Sequence, residues 1–242
     1  MKIFGKTDIG RVRQMNQDCY CGGEHDSGMT WVIVCDGMGG PAGGNIASST
    51  AAKVLSDNIN LKYKKNMSRR SIKNLLLTAI SAANVNVYDM STSNEELEGM
   101  GTTAVAAIIE KGFAHIINVG DSRAYILNKS GIVQVTKDHS LVQQMVDCGN
   151  LTAEEAKTHP HKNIITKAVG IKENIDGDYF EVELAKNDIL LLCTDGLTNN
   201  LSDEDIYSIV TENKSNEFID VLVDRANENG GSDNITVVAV MD

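Results

Sequence analysis

The sequence predicts an α+β layered domain, because short strand patterns recur along it and two long helical patterns lie side by side near its start. Six apolar runs rich in Val and Ile are bounded by Gly, Asp or Asn, which is typical of strands that end in turns. These runs cover residues 31–35, 104–109, 113–119, 123–127, 189–193 and 235–240. Strands and helices do not alternate as they do in a parallel βαβ protein, so antiparallel sheets are expected.

The two helical patterns follow the first of these strands. They cover roughly residues 45–60 and roughly residues 71–90. In the second, apolar residues recur at helical spacing along one face: Ile72, Leu75, Leu76, Ala79, Ile80, Ala83 and Val87. A face of this kind predicts a helix that packs against a sheet.

Turn and cap residues locate the remaining elements. Lys111-Gly112 and residues 128–131 predict hairpin turns between antiparallel strands. Capping-box spacing predicts three helix starts, at Ser140 with Gln143, Thr152 with Glu155, and Ser202 with Asp205. A last helix is expected over residues 216–228. The polar, helical segment 140–162 has no strand and is expected to lie as an insertion over the sheet edge.

Composition narrows the class of protein. The 242 residues show no linker or repeat, so we expect a single domain over residues 1–242. A net charge of −11 argues against nucleic acid or an anionic membrane surface as partner. Five Cys without C-x-x-C spacing predict reduced thiols and a cytoplasmic protein. No signal-peptide pattern occurs at the start, and no apolar run is long enough to cross a bilayer.

Aspartates at the ends of the predicted strands carry the functional signal. Asp36, Asp121, Asp195 and Asp233 each lie beside Gly or Asn next to an apolar run, and Asp18 lies near the start of the chain. One such Asp is usually a turn residue. Several at one sheet edge would repel each other by several kcal/mol in a low-dielectric cleft. Such a cluster therefore predicts bound cations.

The types of ligand predict the metal. An all-oxygen set, without His or Cys at zinc spacing, favours Mg²⁺ or Mn²⁺. Gly37 lets the backbone approach closely and offers its carbonyl as a ligand. Two neighbouring cations can activate a shared water and offset charge on a phosphoryl group. Arg13 is the candidate clamp for the phosphate, and an ordinary surface arginine is the alternative interpretation.

Taken in order, the motifs resemble those of the metal-dependent protein phosphatases (the PPM or type 2C family) in their compact bacterial form. The resemblance runs from about Thr7 to Val240. Eight motifs appear in the family order: T-D-I-G-R-V-R-Q-M-N-Q-D, V-C-D-G-M-G-G-P-A-G-G-N-I-A-S, M-G-T-T, V-G-D-S-R, K-D-H-S-L-V, H-P-H-K-N-I-I-T-K-A-V-G, L-L-L-C-T-D-G-L and G-G-S-D-N-I-T-V-V.

The resemblance implies a four-layer α-β-β-α sandwich of two antiparallel sheets flanked by helix pairs. It implies a dinuclear Mn²⁺ or Mg²⁺ centre in which Asp36 bridges the ions, Gly37 gives its carbonyl to one, and Asp195 and Asp233 complete the other. Asp121 with Asp195 would frame a third, weaker metal site.

The resemblance also implies roles for the remaining parts. Asp18 would act through a metal-bound water, Arg13 would hold the substrate phosphate, and a flap at about 140–165 would shape substrate choice. The expected substrates are phosphoserine and phosphothreonine in other proteins. The expected partner is a bacterial Ser/Thr kinase with its targets, and the expected state is a monomer.

Two positions depart from the family pattern. Many relatives carry Glu at the position of Gln17, and animal-type members carry a proposed general acid at the position of Met38. Met38 donates no proton, so the sequence does not identify the general acid. His139 and His161 are interpreted as solvated loop or flap residues. Asn234 is interpreted as orienting Asp233 or capping a turn.

Two other functions compete with this interpretation. The segment from Gly37 to Ala42 has the G-x-G-x-x-A spacing of a dinucleotide-binding loop. However, Asp36 would repel a pyrophosphate there, and a second helix follows where that fold needs a strand. Gln17 and Met38 motivate the other alternative, a non-catalytic pseudo-phosphatase that binds phosphoproteins or metal.

Overall fold

The computed structural model describes residues 1–213 and 216–242, which form eleven strands and seven α-helices. The strands are β1 (Lys2–Asp8), β2 (Asp18–Glu24), β3 (Thr30–Met38), β4 (Gly101–Thr102), β5 (Ala104–Glu110), β6 (Phe113–Val119), β7 (Arg123–Asn128), β8 (Gly131–Gln134), β9 (Asp178–Glu183), β10 (Ile189–Cys193) and β11 (Ile235–Met241). The helices are α1 (Gly40–Lys62), α2 (Arg69–Ser93), α3 (Leu141–Asp147), α4 (Ala153–Thr158), α5 (Asp195–Thr198), α6 (Asp203–Glu212) and α7 (Phe218–Glu228).

The strands form two antiparallel sheets. Sheet 1 has the order β1-β11-β10-β7-β8, and sheet 2 has the order β2-β3-β5-β6-β9, with the short β4 paired to the end of β3. β1 pairs with β11 along its full length, with Lys2 opposite Met241. Helices α1 and α2 cover one face of sheet 2, and α6 and α7 cover one face of sheet 1. The predicted four-layer α-β-β-α sandwich is confirmed.

The layers follow from the alternation of side chains along each strand. In β3, Trp31, Ile33 and Cys35 are buried against α1 and α2, whereas Val32 and Val34 are buried against sheet 1. Successive residues of a strand point to opposite faces, so a strand between two apolar layers is apolar throughout. This is why the central strands were recognisable as unbroken apolar runs.

The two long helices are longer than predicted. The predicted apolar face of α2 is buried along its length. Ser68 caps this helix, because its side-chain oxygen accepts a hydrogen bond from the backbone N–H of Ser71 at 3.2 Å. α1 begins at Gly40, directly after Gly39, whose φ of 109° lies in the left-handed region. A Cβ at Gly39 would lie 2.5 Å from the Cα of Met100, so glycine is required there.

The predicted flap segment contains two short helices. Ser140 and Thr152 are the N-caps of α3 and α4, as their spacing predicted. An isolated bridge between Ser140 and Ile165 brings the two ends of the segment together. Within the described residues, no helix has the length and apolar character needed to span a membrane.

Candidate active site

A cavity of about 520 Å³ opens where the ends of the two sheets meet. Six of the seven residues predicted to be functional line it: Arg13, Asp36, Gly37, Asp121, Asp195 and Asp233. The other lining residues are Gln14, Met15, Gln17, Met38, Gly39, Gly40, Asn163, Ile165 and Asn234. The scattered aspartates therefore meet in space, and their role as metal ligands stays a prediction.

Each sheet supplies part of this cluster. Asp36 lies near the end of β3, and Asp18, the seventh predicted residue, lies directly opposite it at the start of β2. Asp195 begins α5 after β10, and Asp233 lies just before β11. Asp121 lies in the connection from β6 to β7, which crosses from one sheet to the other.

Asp18 is a buried carboxylate that two threonine hydroxyls hold. Its Oδ2 accepts hydrogen bonds from the hydroxyls of Thr194 at 2.9 Å and Thr236 at 2.7 Å. Its Oδ1 is buried and has no hydrogen-bond partner. Burial, followed by repulsion from Asp195 and Asp233, raises the pKa of Asp18 to about 7. Thr236 lies in β11 of sheet 1, and Thr194 directly follows β10 of the same sheet. Their hydroxyls therefore tie Asp18 of sheet 2 to the other sheet.

The remaining carboxylates of the cluster also repel one another. Burial and then repulsion from Asp18 and Asp195 raise the pKa of Asp36 well above its ordinary value. Burial and then repulsion from Asp195 and Asp138 raise the pKa of Asp121 to about 8. Burial and repulsion from Asp233 raise the pKa of Asp195 as well. The shared cause is negative charge gathered in a poorly solvated space.

These carboxylates fit a hard divalent cation. Asp18, Asp121 and Asp195 each have a buried Oδ1 without a hydrogen-bond partner, and such an oxygen is costly unless something neutralises it. Oxygen donors of this type suit Mg²⁺ or Mn²⁺. Among residues 1–213 and 216–242, no three Asp, Glu, His or Cys side chains have the spacing of a closed metal-ligand set. The fit therefore rests on the unpartnered oxygens and on the charge of the cluster.

Gly37 is required by the close approach of three chain segments. A Cβ at Gly37 would lie 2.0 Å from the carbonyl oxygen of Gly44 and 2.7 Å from that of Gln17. The backbone of the preceding Asp36 is held by Thr103, whose N–H donates to the Asp36 carbonyl and whose hydroxyl accepts from the Asp36 N–H at 2.9 Å. The M-G-T-T motif therefore positions Asp36.

Arg13 brings a cation to the rim of the cavity. Its Nη2 lies 2.7 Å from Oδ2 of Asp233, and the Arg13 side chain is 51% exposed. An exposed ion pair of this kind contributes little to stability. The structure therefore places the Arg13 guanidinium at the cavity beside Asp233, and its role in binding phosphate stays a prediction.

The side chain of Asn234 holds the segment that carries Arg13. Its Nδ2 donates to the carbonyls of Ile9 and Met15, both at 2.9 Å, and its Oδ1 accepts from the N–H of Gln17 at 2.8 Å. The bond to Oδ1 of Asp233 comes from the backbone N–H of Asn234 and not from its side chain, so the orienting of Asp233 by Asn234 stays a prediction. The spacing of the motifs did not indicate that Asn234 reaches across to residues 9–17.

Gln17 serves the backbone as well as the cavity. Its Nε2 donates to the carbonyl of Gly40 at 2.9 Å, which anchors the start of α1. Its amide lies against Gly44, where a Cβ would be 2.7 Å from Cδ of Gln17. A neutral amide is therefore sufficient for this contact.

The two histidines of interest differ. His161 is exposed on the flap, as predicted. The interpretation of His139 as a solvated residue was wrong, because its side chain is only 11% exposed. Its Nδ1 accepts a hydrogen bond from the N–H of Gly120 at 3.0 Å, and its Nε2 lies 3.1 Å from Oδ2 of Asp178, outside hydrogen-bond alignment. Neither histidine lines the cavity.

The fold and this cavity define a phosphatase, because buried carboxylates suited to cations stand beside a guanidinium suited to a phosphate. A family model described as protein phosphatase 2C matches residues 9–238. The chain is 39% identical to the serine/threonine phosphatase stp of Listeria welshimeri, over 97% of this chain and 93% of the relative.

Solved structures agree with this comparison. The S. agalactiae serine/threonine phosphatase matches with a TM-score of 0.93 and 36% identity, over 100% of this chain and 99% of that one. The catalytic domain of the phosphatase PstP, solved with two manganese ions, matches with a TM-score of 0.86 and 30% identity, over 100% and 98% of the two chains. The chain belongs to the protein phosphatase 2C family and is a phosphoprotein phosphatase.

Proposed function

We propose that this protein hydrolyses phosphoserine and phosphothreonine in other proteins with the help of Mn²⁺ or Mg²⁺. The observation that carries the proposal is the set of buried, unpartnered carboxylate oxygens around a cavity that Arg13 also reaches. The relatives named as serine/threonine phosphatases and the manganese ions of the PstP structure support the same substrate and metal.

The residues divide between two core ions and a weaker third. Asp36 and the carbonyl of Gly37, with Asp195 and Asp233, would hold the two core ions, and Asp121 with Asp195 would hold the third. Divalent cations, when bound, lower the pKa of water and offset the charge that develops on the phosphoryl group. Burial, and then repulsion between carboxylates, raises the pKa of Asp36 and of Asp121. These shifts support the assignment, because bound cations would stabilise the charged form of both side chains.

Arg13 and Asp18 would act on the reactants. The guanidinium of Arg13 turns from Asp233 to two oxygens of the substrate phosphate and orients it in the cavity. Asp18 keeps Oδ2 occupied by two threonine hydroxyls, so only Oδ1 is left to accept a hydrogen bond from the attacking water. The threonines thereby fix the direction in which Asp18 orients that water.

The leaving group requires a proton from another source. Met38 lines the cavity and has no acidic proton, and no histidine lines it within the part of the chain that the structure describes. The departing serine or threonine oxygen therefore takes its proton from water in the open cavity rather than from a histidine.

The wider setting is also part of the proposal. The chain would act as one catalytic domain over residues 1–242, as a monomer in the cytoplasm, and would oppose a Ser/Thr kinase by dephosphorylating its targets. Residues 140–165 would form a flap that shapes substrate choice, since Asn163 and Ile165 line the cavity beside the carboxylates.

Turnover of p-nitrophenyl phosphate, measured after EDTA treatment and then with Mn²⁺ or Mg²⁺ restored, tests the proposal. Activity is expected only with metal, and phosphothreonine peptides are expected to be better substrates than phosphotyrosine peptides assayed in parallel. Asp36→Asn and Asp233→Asn should abolish turnover. Asp57→Asn, which alters an exposed ion pair on α1, should not. Full activity in excess chelator would contradict the metal dependence, and no turnover with any divalent metal would favour a binding module.

A further inference from the structure

The connection that carries Asp121 is fastened on both sides by two consecutive residues, Asp138 and His139. On one side, His139 holds Gly120 twice: the His139 N–H donates to the Gly120 carbonyl at 2.9 Å, and the Gly120 N–H donates to His139 Nδ1 at 3.0 Å. On the other side, the guanidinium of Arg123 donates to both carboxylate oxygens of Asp138 at 2.7–3.0 Å. Asp121 therefore lies between two residues, Gly120 and Arg123, that are each held by hydrogen bonds.

The backbone at this connection needs such support. Gly120 has a φ of 109°, and a Cβ there would lie 2.5 Å from Cγ2 of Thr103. The Oδ1 of Asp121 is buried without a hydrogen-bond partner. Because that oxygen has no bond to hold it, the direction of the Asp121 carboxylate depends on the backbone that His139 secures.

The hydrogen bond also assigns the proton on the His139 ring. Nδ1 accepts from the Gly120 N–H, so the neutral ring carries its proton on Nε2. Nε2 faces Oδ2 of Asp178, whose other oxygen lies 3.3 Å from Nζ of Lys167. The ring is thus hydrogen-bonded at Nδ1, its acceptor, which is directed at Gly120, while Nε2 faces a carboxylate without an aligned hydrogen bond.

We propose that His139 is a positioning residue that acts through Gly120 to hold Asp121 in the orientation that binds a divalent cation. The proposal rests on the proposed function, since it concerns the cation at Asp121. The proposal assigns a role to the His of the K-D-H-S motif, which the predicted ligand role of Asp121 does not by itself provide. A residue that orients a metal ligand typically changes metal affinity by about 10–100-fold when it is replaced.

Three substitutions distinguish the role of Nδ1 of His139 from that of Nε2. His139→Asn places a side-chain oxygen near the position of Nδ1 and should keep the bond to the Gly120 N–H. His139→Gln places its polar group near Nε2 instead, and His139→Leu keeps bulk but no acceptor. The exposed flap residue His161, replaced by Gln, is the control.

Mn²⁺ binding to the full chain is measured by titration with detection of free Mn²⁺ by electron paramagnetic resonance, without substrate. We expect the weakest class of Mn²⁺ sites to lose about tenfold in affinity in His139→Gln and His139→Leu. The tighter sites should stay unchanged, and His139→Asn should bind like the wild type. A purely structural role would instead lower all classes of site together, in proportion to the loss of thermal stability.

The outcomes separate this inference from the function on which it rests. If the wild type binds no Mn²⁺, the proposed function fails. If the wild type binds Mn²⁺ and His139→Asn loses as much affinity as His139→Gln, or neither loses any, the positioning role of His139 is overturned. The comparison of Asn with Gln decides the matter even if His139→Leu does not fold.

Discussion

Replacing Asn234 by alanine removes the hydrogen bonds that hold the Arg13 segment beside β11. Asn234 is only 4% exposed, and its amide makes three bonds to backbone groups of residues 9–17. Alanine makes none of them. The change therefore tests whether this one side chain holds the segment in place.

The expected loss follows from the number of bonds. At about 1 kcal/mol for each net hydrogen bond, three bonds amount to about 3 kcal/mol. For a chain of this size, each kcal/mol lowers the melting temperature by about 2–4 °C, so a fall of roughly 6–12 °C is expected. Because the freed segment carries Arg13, the KM for a phosphopeptide should rise more than kcat falls.

Urea unfolding followed by circular dichroism gives the free energy of unfolding, and initial rates on a phosphothreonine peptide give KM and kcat. Asn229→Ala is the matched control, because Asn229 donates one exposed hydrogen bond, to the carbonyl of Asn200 at 2.9 Å. That control should lose less than about 1 kcal/mol. Equal losses in the two variants, or an unchanged KM in Asn234→Ala, would refute the reasoning.

Three further predictions concern the same cavity. Arg13→Ala should raise the KM for phosphopeptides by about 10- to 100-fold, since a charged hydrogen bond contributes about 1.5–3 kcal/mol, and should leave Mn²⁺ affinity nearly unchanged. Arg11→Ala is the control. A collapse of Mn²⁺ binding in titration would contradict this. In EDTA, burial raises the pKa of Asp18 to about 7 in the folded chain, above its ordinary value of 3.8. The protonated carboxyl therefore contributes to the free energy of unfolding at acid pH, and this contribution is lost as the pH rises from 3.8 to about 7. Urea unfolding across pH 4–8 should show a smaller decline for Asp18→Asn, and parallel curves would count against the assignment. Gly37→Ala should lower the free energy of unfolding by about 3 kcal/mol or more, because its Cβ would meet a carbonyl oxygen at 2.0 Å. Gly5→Ala is the control, because its Cβ meets only an aromatic side chain. Similar melting temperatures for the two variants would argue against this.

Hydrophobic patterning located the elements that are buried on both faces. β6 and β10 match their predicted runs, and the caps of α3, α4 and α6 lie where their spacing placed them. The sequence of β2, D-C-Y-C-G-G-E, has no Val or Ile and contains two glycines. It is a strand because it pairs along its length with β3, a long-range condition that local propensity does not report. β1, β8 and β9 were missed for a similar reason, since each is partly exposed and mixes polar with apolar residues.

The carboxylates of the site could be predicted from the sequence, but most of the residues that hold them in place could not. Aspartates at strand ends indicated a carboxylate cluster, because strand ends of a sheet meet at one edge. The register that sets Asp18 opposite Asp36 is a property of paired strands and not of either segment alone. Thr194 directly precedes Asp195, and Thr236 follows Asp233 closely in the sequence. A search for hydroxyl residues next to the predicted aspartates could have identified both as partners of Asp18.

The pairing of β1 with β11 sets the order in which the enzyme is completed during synthesis. Among the described strands, β1 is made first, and it has no hydrogen-bonded neighbour in its sheet until β11, which is made last, leaves the ribosome. Asn234 and Asp233 arrive just ahead of that strand. Until then the segment that carries Arg13 lacks the three hydrogen bonds from Asn234, and the carboxylate cluster lacks Asp233. A nascent chain that has not yet made β11 therefore lacks part of the cavity, and we expect it to be inactive until β1 and β11 have paired.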